Sequence, residues 1–514
     1  MADNPMTSSL EIEVPLEEDG AFEIEEPLPP LRGLYLQYFS VGLVYGALPG
    51  TLYGFFMGYL DVDAHVYATA LQVVSLPWSF KFVYGMLNDC LPIHKQHRRP
   101  YMSLGWTICA LALLALARSE TPRQGDSSLA GMFAFKMALA SVGYVMADVA
   151  ADGLVVQYAK MENTNVRGTV QSNVYLVRTV GSIVASLLVG LGMNGKQYSG
   201  TFEWTMSFSQ ICAILAAQSI IMVPVSWVYI EEPVPTRKLK SIRKYFSDCY
   251  ILLKSRAMFY VVIYSIAHGI MGSISTTAGP NVTKLWAGVH TLQAQLFGVL
   301  AMCIFALGLC MVKKCLLDAN WRYVIAITTV LLTAIDAIFV YCTIYNVVRN
   351  QYFYLGESAI VMVPAAAKFL VTCFVVVEMA PSGMEGMVYG ILTTLHNLGG
   401  PIGRGISNAL YGLAFSGLSE ADNYTTDSDG FRDSVAISYG IGYACGIVGL
   451  GLLVFLPAQK AQAHCWIRQW PKRVGYARAT IALLLFSWVF AISSNMLAMF
   501  PSTSCMRIVG GSGC

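Results

Sequence analysis

Long apolar runs separated by short polar segments occupy the chain from about residue 34 to residue 500. Most of these runs reach the roughly 20 residues that an α-helix needs to cross a bilayer core about 30 Å thick. Because they also carry few charges, each is predicted to be a transmembrane helix. The twelve predicted spans lie near 34–58, 66–88, 101–117, 130–152, 168–192, 207–230, 257–279, 291–312, 322–345, 354–380, 386–415 and 434–457.

One further apolar run follows the twelve spans. It extends from Thr480 to Phe500, carries no charge and is long enough to cross a bilayer. The alternative is a helix that lies along the membrane interface. The length of the run and its lack of charge favour a thirteenth span.

The composition agrees with a membrane protein. The chain is 55% hydrophobic, and its 12% of Asp, Glu, Lys and Arg is about half the charged fraction of a soluble domain. With 33 Lys and Arg against 31 Asp and Glu, no basic excess indicates a nucleic-acid partner. The expected partners are the lipid bilayer and a small-molecule substrate.

Cysteine usage gives no sign of a metal site. Most of the 13 Cys lie in apolar runs, with no CxxC pair and no His/Cys cluster at metal-ligand spacing. They are interpreted as small buried hydrophobic residues. Neither a metal nor a cofactor is expected.

Positive charge is distributed unevenly between the segments that join the spans. With the N-terminus in the cytoplasm, the cytoplasmic segments hold 21 Lys and Arg and the opposite segments hold 7, while 5 lie within spans. Cytoplasmic loops retain such an excess, so a cytoplasmic N-terminus is predicted. A plasma membrane location is favoured over an organelle.

The basic segment 231–256 divides the twelve spans into two sets of six. The predicted regions are a disordered acidic cytoplasmic tail (1–31), an N-terminal six-helix half (32–230), a cytoplasmic linker (231–256), a C-terminal six-helix half (257–457), a basic cytoplasmic loop (458–478) and the thirteenth helix with its tail (479–514).

The fifth and eleventh predicted spans resemble each other in the spacing of their glycines. A chance match is the alternative in a chain with 45 Gly, but the equal number of spans on each side of the linker favours a duplicated fold. Such repeats are typical of transporters whose halves rock around a site near the membrane midplane. One offset of 218 residues superimposes Gly168 on Gly386, Gly181 on Gly399 and Arg178 on His396.

The polar segment between spans two and three carries a charged motif. Its sequence Gly85-Met86-Leu87-Asn88-Asp89, followed by Arg98-Arg99-Pro100, resembles the Gly-x-Leu-x-Asp…Arg signature of the major facilitator superfamily. Asp89, Arg98 and Arg99 can pair with each other or across to the opposite half, which makes them candidate cytoplasmic gate residues. A plain charged loop is the alternative, although it explains the arginines and not Asp89.

Within that superfamily, the chain resembles the folate-biopterin transporter family. Three passages carry the resemblance: residues 85–101, residues 148–156 (Asp-Val-Ala-Ala-Asp-Gly-Leu-Val-Val) and residues 381–390. The acidic tail and the thirteenth span lie outside the pattern. The resemblance implies an all-α, major-facilitator-like bundle that transports folates, pterins or similar metabolites, often by proton symport. The family also includes members with other substrates.

Asp148 and Asp152 lie four residues apart on span four and therefore share one helix face. Carboxylates within a membrane helix are functional candidates, because they are costly unless they face a cavity or a cation. Burial and like-charge proximity both favour the protonated carboxyl group, which a proton-coupling site needs. Asp152 alternatively lies in the headgroup zone, where water solvates it.

Five cationic side chains fall within spans, accompanied by His268 and His396. Arg178 lies too deep in span five to reach the headgroups, so it either binds a substrate carboxylate or ring edge, or pairs with the aspartates. His396 is a candidate binding residue opposite it in the repeat. The other four cations are Lys81, Lys136, Lys368 and Arg404, of which Lys81, Lys136 and Arg404 are expected to snorkel or pair structurally.

Glu378 and Glu385 flank the junction between spans ten and eleven, which contains no Lys or Arg. They are candidate acidic partners for the basic groups of the other half, such as Arg167, in a closed inner gate. An exposed turn is the alternative. The resemblance to the family's Pro-x-Gly-x-Glu pattern favours Glu385 as a gate residue.

The hydrophilic segments contain no nucleophile elbow, metal-binding helix motif or phosphate loop. They are also too short to hold a catalytic domain, so neither an enzyme nor ATP-driven transport is expected. The predicted function is secondary transport of a small organic solute by alternating access. A non-transporting receptor or nutrient sensor on the same scaffold is the competing hypothesis.

Overall fold

The computed structural model describes residues 29–161, 169–232, 241–316, 319–379, 385–415 and 417–514. This part of the chain is nearly all helical and contains no β-strand, so the predicted all-α membrane bundle is confirmed. Most of the acidic tail, together with Arg167 and Gly168, lies outside the described residues.

The N-terminal half is a bundle of helices connected by short loops. A π-helical turn, Tyr53–Tyr59, extends α1, and a 3-10 turn, Leu76–Phe80, joins α2 to α3. The helices of this half are α1 Arg32–Leu52, α2 Ala64–Ser75, α3 Lys81–Cys90, α4 Arg99–Ala117, α5 Ala130–Met161, α6 Thr169–Gly192 and α7 Phe208–Val228.

The C-terminal half follows the linker helix α8, Ile242–Leu253. Its helices are α9 Arg256–Ser273, α10 Gly279–Asn281, α11 Thr291–Leu316, α12 Trp321–Ile344, α13 Gln351–Ile360, α14 Met362–Glu378, α15 Glu385–Ala414, α16 Ala421–Thr426 and α17 Asp429–Val448, and two helices, α18 Lys460–Gln469 and α19 Val474–Met499, come after it.

The helix ends define two faces of the bundle. The linker face carries α8, α18 and the start of α1, and the distal face carries the turn after α1 and residues 501–514. Every one of the twelve predicted spans forms a helix or a pair of consecutive helices between these faces. The thirteenth predicted span is also helical, as α19.

Ten helices of the described part are by themselves long and apolar enough to cross a membrane, and α19 is one of them. The predicted spans near 66–88, 257–279 and 386–415 form helices outside this set. The first is broken by the turn at Pro77, and the third carries His396, Asn397 and Arg404. These polar helices meet one another, since α15 packs on both α9 and α2.

The repeat detected in the sequence corresponds to equivalent close helix crossings. A Cβ atom on Gly181 of α6 would lie 2.2 Å from the carbonyl oxygen of Phe39 in α1. In the other half, a Cβ atom on Gly399 of α15 would lie 2.8 Å from the carbonyl carbon of Gly269 in α9. Both glycines therefore let the fifth helix of a half approach the first.

Hydrogen bonds between the halves close the distal face. The Tyr53 hydroxyl donates to the carbonyl oxygen of Val289 at 2.6 Å, and Thr291 Oγ1 donates to that of Tyr198 at 2.7 Å. Lys284 pairs with Asp61 at 2.7 Å. The two halves are thus joined at the face opposite the linker.

Two predicted polar segments contain more helix than expected. The linker holds the amphipathic helix α8, whose Tyr245, Cys249 and Leu252 are buried. The predicted loop 458–478 contains α18 and the first residues of α19. Both corrections have the same reason, because apolar residues spaced for one helix face pack against the bundle while the charges remain outside.

Candidate functional site

At the seam between the halves, α15 packs on α2, α3 and the 3-10 turn that joins them, and α11 packs on α6. Pro77 interrupts the second span, and the resulting 3-10 turn places Trp78 at this seam. The Asn397 side chain of α15 donates to the Trp78 carbonyl oxygen at 3.1 Å. The broken helix therefore presents an aromatic ring where the halves meet.

Four charged side chains of the N-terminal half form one cluster. Lys81 Nζ lies 3.2 Å from Asp148 Oδ2 and 3.2 Å from Asp152 Oδ2. Arg178 Nη1 lies 3.5 Å from Asp148 Oδ1. Asp148 is fully buried, so its charge depends on these two cations.

The surroundings of Asp152 argue against the headgroup alternative. Its side chain is only 21% exposed. The Tyr38 hydroxyl donates to Asp152 Oδ1 at 2.7 Å, while Lys81 occupies the other oxygen. Protein groups rather than bulk water therefore solvate this carboxylate.

Arg178 is held chiefly by aromatic rings. Its guanidinium lies 5.0 Å from the centroid of Tyr45 and 5.1 Å from that of Trp78, within the range of cation–π attraction. Its pair with Asp148 is longer than a charge-assisted hydrogen bond. Within the described residues the guanidinium donates no hydrogen bond, so its N–H groups are available to a ligand.

The charges of the cluster balance, with Lys81 and Arg178 opposite Asp148 and Asp152. A buried cluster of this kind contributes little net stability, because desolvation offsets the Coulomb attraction. Removing a single member, in contrast, leaves an uncompensated charge inside the bundle. Lys81, which was expected to snorkel or to pair structurally, pairs with both aspartates.

The C-terminal half faces this cluster with Tyr389 and His396, seven residues apart and hence on one face of α15. Tyr389 lies near Asp152 and Lys81 across the seam. His396 interacts electrostatically with Lys368 of α14. Arg178 and His396, which correspond in the repeat, therefore lie on opposite walls of the seam.

The two ends of the seam differ in how well they are covered. Tyr175 of α6 and Tyr389 of α15, near the linker-side ends of their helices, are 39% and 44% exposed. At the distal face, Tyr53 and Thr291 are buried and bonded across the halves. The seam is therefore more exposed towards the linker face than at the distal face.

The predicted gate residues Asp89 and Arg98 pair with each other, at 2.7 Å. Arg99 donates to the carbonyl oxygen of Trp227 and stacks on its ring. Glu232, which the sequence analysis missed, accepts hydrogen bonds from the backbone N–H groups at the start of α4, including that of Arg98 at 3.1 Å. In this conformation the three predicted gate residues pair within the N-terminal half.

Glu378 is engaged within the C-terminal half. Its carboxylate lies 3.0 Å from Lys460 Nζ and 2.8 Å from His464 Nε2, both on α18. The side chain of Glu385 lies outside the described residues, as does its proposed partner Arg167. The predicted contact across the inner gate therefore stays a prediction.

Several residues of the site escaped the sequence analysis. Tyr38, Tyr45 and Trp78 looked like ordinary apolar positions of spans one and two, because only the fold brings them to the charges. The one available signal was Pro77, which precedes Trp78. Asp336 of α12, another carboxylate inside a span, accepts a hydrogen bond from Tyr443 at 2.7 Å.

Comparison with protein families identifies the chain. The BT1 family model matches residues 42–464, which include every described member of the charge cluster. The chain belongs to the BT1 family. The resemblance to folate-biopterin transporters is confirmed by relatives that carry this name, and the chain is a membrane transporter rather than an enzyme.

The relatives of this BT1-family chain differ in how much of it they match. Probable folate-biopterin transporter 7 of Arabidopsis thaliana is 23% identical over 77% of this chain and 85% of its own length. The folate-biopterin transporter of Synechocystis sp. is 22% identical over 65% of each chain. Probable folate-biopterin transporter 4 of Arabidopsis thaliana is 30% identical, but over 26% of each chain.

Solved structures establish the fold of this BT1-family chain. A mutant of the nucleoside transporter NupG aligns with a TM-score of 0.60 at 15% identity, covering 82% of this chain and 99% of its own. A D-xylose–proton symporter aligns with a TM-score of 0.59 at 13% identity, covering 83% and 97%. The predicted major-facilitator fold is therefore confirmed.

Charge balance in the cluster predicts a rescue. Lys81→Met leaves two carboxylates with Arg178 alone, and breaking a buried ion pair in this way costs about 3–5 kcal/mol. Adding Asp152→Asn to Lys81→Met restores neutrality and is expected to recover most of the stability. The melting temperature of the purified protein in detergent measures both effects. A double variant no more stable than Lys81→Met would contradict the balance.

Proposed function

We propose that this chain is a secondary transporter that carries a folate, a pterin or a related small solute across the membrane by alternating access. The observation that carries the proposal is the four-charge cluster at the seam. We assign the structure to a state open towards the linker face, which the exposed Tyr175 and Tyr389 and the hydrogen bonds at the distal face support. Relatives over much of the chain are named folate-biopterin transporters, which supports the choice of solute class.

The N-terminal wall of the seam has the chemistry to hold a flat, polar ring. Tyr45 and Trp78 offer ring faces for stacking, and Arg178 adds N–H donors in a planar fork. The fork suits a carboxylate or the edge of a heterocycle, both of which accept paired hydrogen bonds. We therefore assign Arg178 to solute binding, with Asp148 and the two rings orienting it.

Proton coupling follows from the same balance of charges. A solute group that accepts hydrogen bonds from Arg178, whether a carboxylate or the edge of a ring, draws part of its positive charge away from Asp148. Asp148 and Asp152 then share Lys81 as their remaining full counter-ion, and a proton on one carboxylate restores neutrality. In this scheme solute and proton enter together, which is symport.

The same scheme gives the gate residues a role in the opposite conformation. Asp89, Arg98 and Arg99 pair within their own half while the linker side is open. Closing that side brings their loop towards α15, where Glu385 begins the helix. We assign Arg98 or Arg99 to an ion pair with Glu385 in the outward-open state.

We assign the linker face to the cytoplasm. The excess of Lys and Arg in the segments on that side supports this orientation. The disulfide between Cys505 and Cys514 lies on the distal face, and disulfides persist in oxidising compartments rather than in the cytosol. Both observations are independent of the transport mechanism.

Neutralising Asp148 is expected to uncouple uptake from the proton gradient. In a transport-deficient cell, Asp148→Asn should lower the initial rate of tritiated folate or biopterin uptake by at least about tenfold, because the proton-accepting carboxylate is lost. Its residual rate should be the same at acidic and neutral external pH. Wild-type uptake should be faster at acidic pH.

The matched control is Asp336→Asn. Asp336 is also a carboxylate inside the bundle, but it binds Tyr443 and lies away from the seam. This variant should keep the pH dependence of the wild type. An Asp148→Asn protein that is present in the membrane and keeps the normal pH dependence would exclude Asp148 as the coupling residue.

A further inference from the structure

Lys368 of α14 has no counter-ion in the described part of the chain. Its ammonium donates to Thr329 Oγ1 at 3.2 Å. No carboxylate forms an ion pair with it within the described residues, and its charged or titratable neighbours are His268 and His396. The N-terminal wall of the seam is balanced, so the C-terminal wall carries the surplus positive charge.

His268 contributes an unused polar atom to the same cluster. Its Nδ1 bonds to the Gly449 carbonyl oxygen at 3.2 Å, and its ring stacks on Tyr264. Because a carbonyl only accepts, Nδ1 carries a hydrogen. Its Nε2 is buried without a hydrogen-bond partner in the described part of the chain, in a residue that is 9% exposed.

We propose that Lys368, His268 and His396 form an anion subsite that takes a carboxylate of the solute, while Arg178 and Trp78 hold its other end. A carboxylate offers lone pairs to the two unused N–H groups of Lys368, and it lets a protonated His268 donate from Nε2. This inference rests on the proposed function, since it deepens the solute site at the seam.

The subsite predicts a selective loss of affinity. Lys368→Gln should weaken the binding of folate, which carries two carboxylates, by roughly 10- to 100-fold, as expected for the loss of a charge-assisted hydrogen bond. Binding of biopterin, which has no carboxylate, should change by less than about twofold. Thermal stabilisation of the purified protein by each ligand measures binding without requiring transport.

Lys136→Gln is the matched control, because Lys136 also donates to one hydroxyl, that of Ser119 at 2.7 Å, but lies away from the seam. Equal weakening of folate and biopterin by Lys368→Gln, or none, would overturn the subsite. If neither ligand stabilises the wild type, the proposed solute class fails. Benzoate and benzamide then test the subsite alone. Benzoate must raise the melting temperature of the wild type more than that of the Lys368→Gln variant.

A separate observation concerns the end of the chain. The family match stops at residue 464, so α19 and residues 501–514, the C-terminal loop, lie beyond it. In the middle of the membrane, Trp488 of α19 donates to the Ser79 carbonyl oxygen at 3.0 Å and stacks on Phe80. Asn495 of α19 donates to the Pro401 carbonyl oxygen at 2.8 Å. One helix thus binds both halves along their seam.

The C-terminal loop makes the same connection at the distal face. It is closed by the Cys505–Cys514 disulfide, and the carbonyl oxygen of Ser504 bonds to His65 Nε2 of α2 at 3.0 Å. Its Gly510 packs on the His65 ring. From the other half, Ser419 Oγ donates to the Gly510 carbonyl oxygen at 3.3 Å.

We infer that α19 and the C-terminal loop are a strap that limits opening at the distal face. Separation of α2 from α15 there requires the loop to leave His65 or Ser419. The disulfide restricts the loop to few conformations, which favours the docked one. The strap therefore shifts the equilibrium between the two transport conformations towards the linker-open state.

Gly510 allows the strap to be released without touching the disulfide. Its φ is +101°, and a Cβ atom would lie 2.9 Å from His65 Cβ. Gly510→Val should therefore displace the loop. Thr291 is a suitable reporter of opening, because it is 1% exposed and bonded across the halves. The thiol introduced by Thr291→Cys should react with a maleimide about tenfold faster when Gly510→Val is added, because the distal-open population rises.

Gly513→Val is the matched control. Gly513 also has a positive φ, +120°, but nothing closer to its Cβ position than Arg507 Nε at 3.6 Å. It should leave the labelling rate unchanged. If Gly510→Val is not recovered folded, Cys505→Ser with Cys514→Ser is used in its place. A labelling rate within twofold of that of the Thr291→Cys parent, in the variant tested, would overturn the strap. Because no solute is involved, this result is independent of the proposed function.

Discussion

The ion-pair cluster of Lys81, Asp148, Asp152 and Arg178 is the constraint on which the N-terminal half depends. Four charges inside a membrane bundle are tolerable only when they lie together, because no solvent there stabilises a lone one. Three separate spans must therefore come to one place. The broken second span supplies Lys81 and Trp78. Gly181 lies where α6 crosses α1, and it allows Arg178 of α6 to come close to Asp148.

The C-terminal half carries surplus positive charge opposite this balanced cluster. This difference between the walls would orient a bound ligand, with its anionic end towards the C-terminal half. In the proposed scheme, an anionic solute neutralises the second wall and disturbs the balance of the first, which would link solute binding to proton uptake by charge alone. The proposed strap of α19 would act with the distal hydrogen bonds to hold the linker-open conformation. Solute, proton and strap would then all act on the separation of the two walls.

Much of the fold follows from the sequence, because length and lack of charge are enough to identify a membrane span. Nine of the twelve spans and the extra helix meet this criterion in the structure, while the spans near 66–88, 257–279 and 386–415 were predicted from weaker apolar runs. The equivalence of Gly181 with Gly399 was predicted from the spacing of glycines. The candidate site was predicted in part. Asp148 and Arg178 are conspicuous as charges in apolar runs, whereas Trp78 and Tyr38 are ordinary residues until packing brings them to those charges. The Cys505–Cys514 disulfide was interpreted as two buried thiols, although both lie in a polar tail.

The most direct test of the account is a measurement of proton movement with solute in proteoliposomes. The purified protein is reconstituted with a pH-sensitive dye inside, without an imposed gradient, and folate or biopterin is added outside. The account predicts internal acidification that accompanies uptake of the tritiated solute and is absent with Asp148→Asn. Saturable binding of the solute without uptake and without acidification would contradict it and would indicate a receptor on a transporter scaffold.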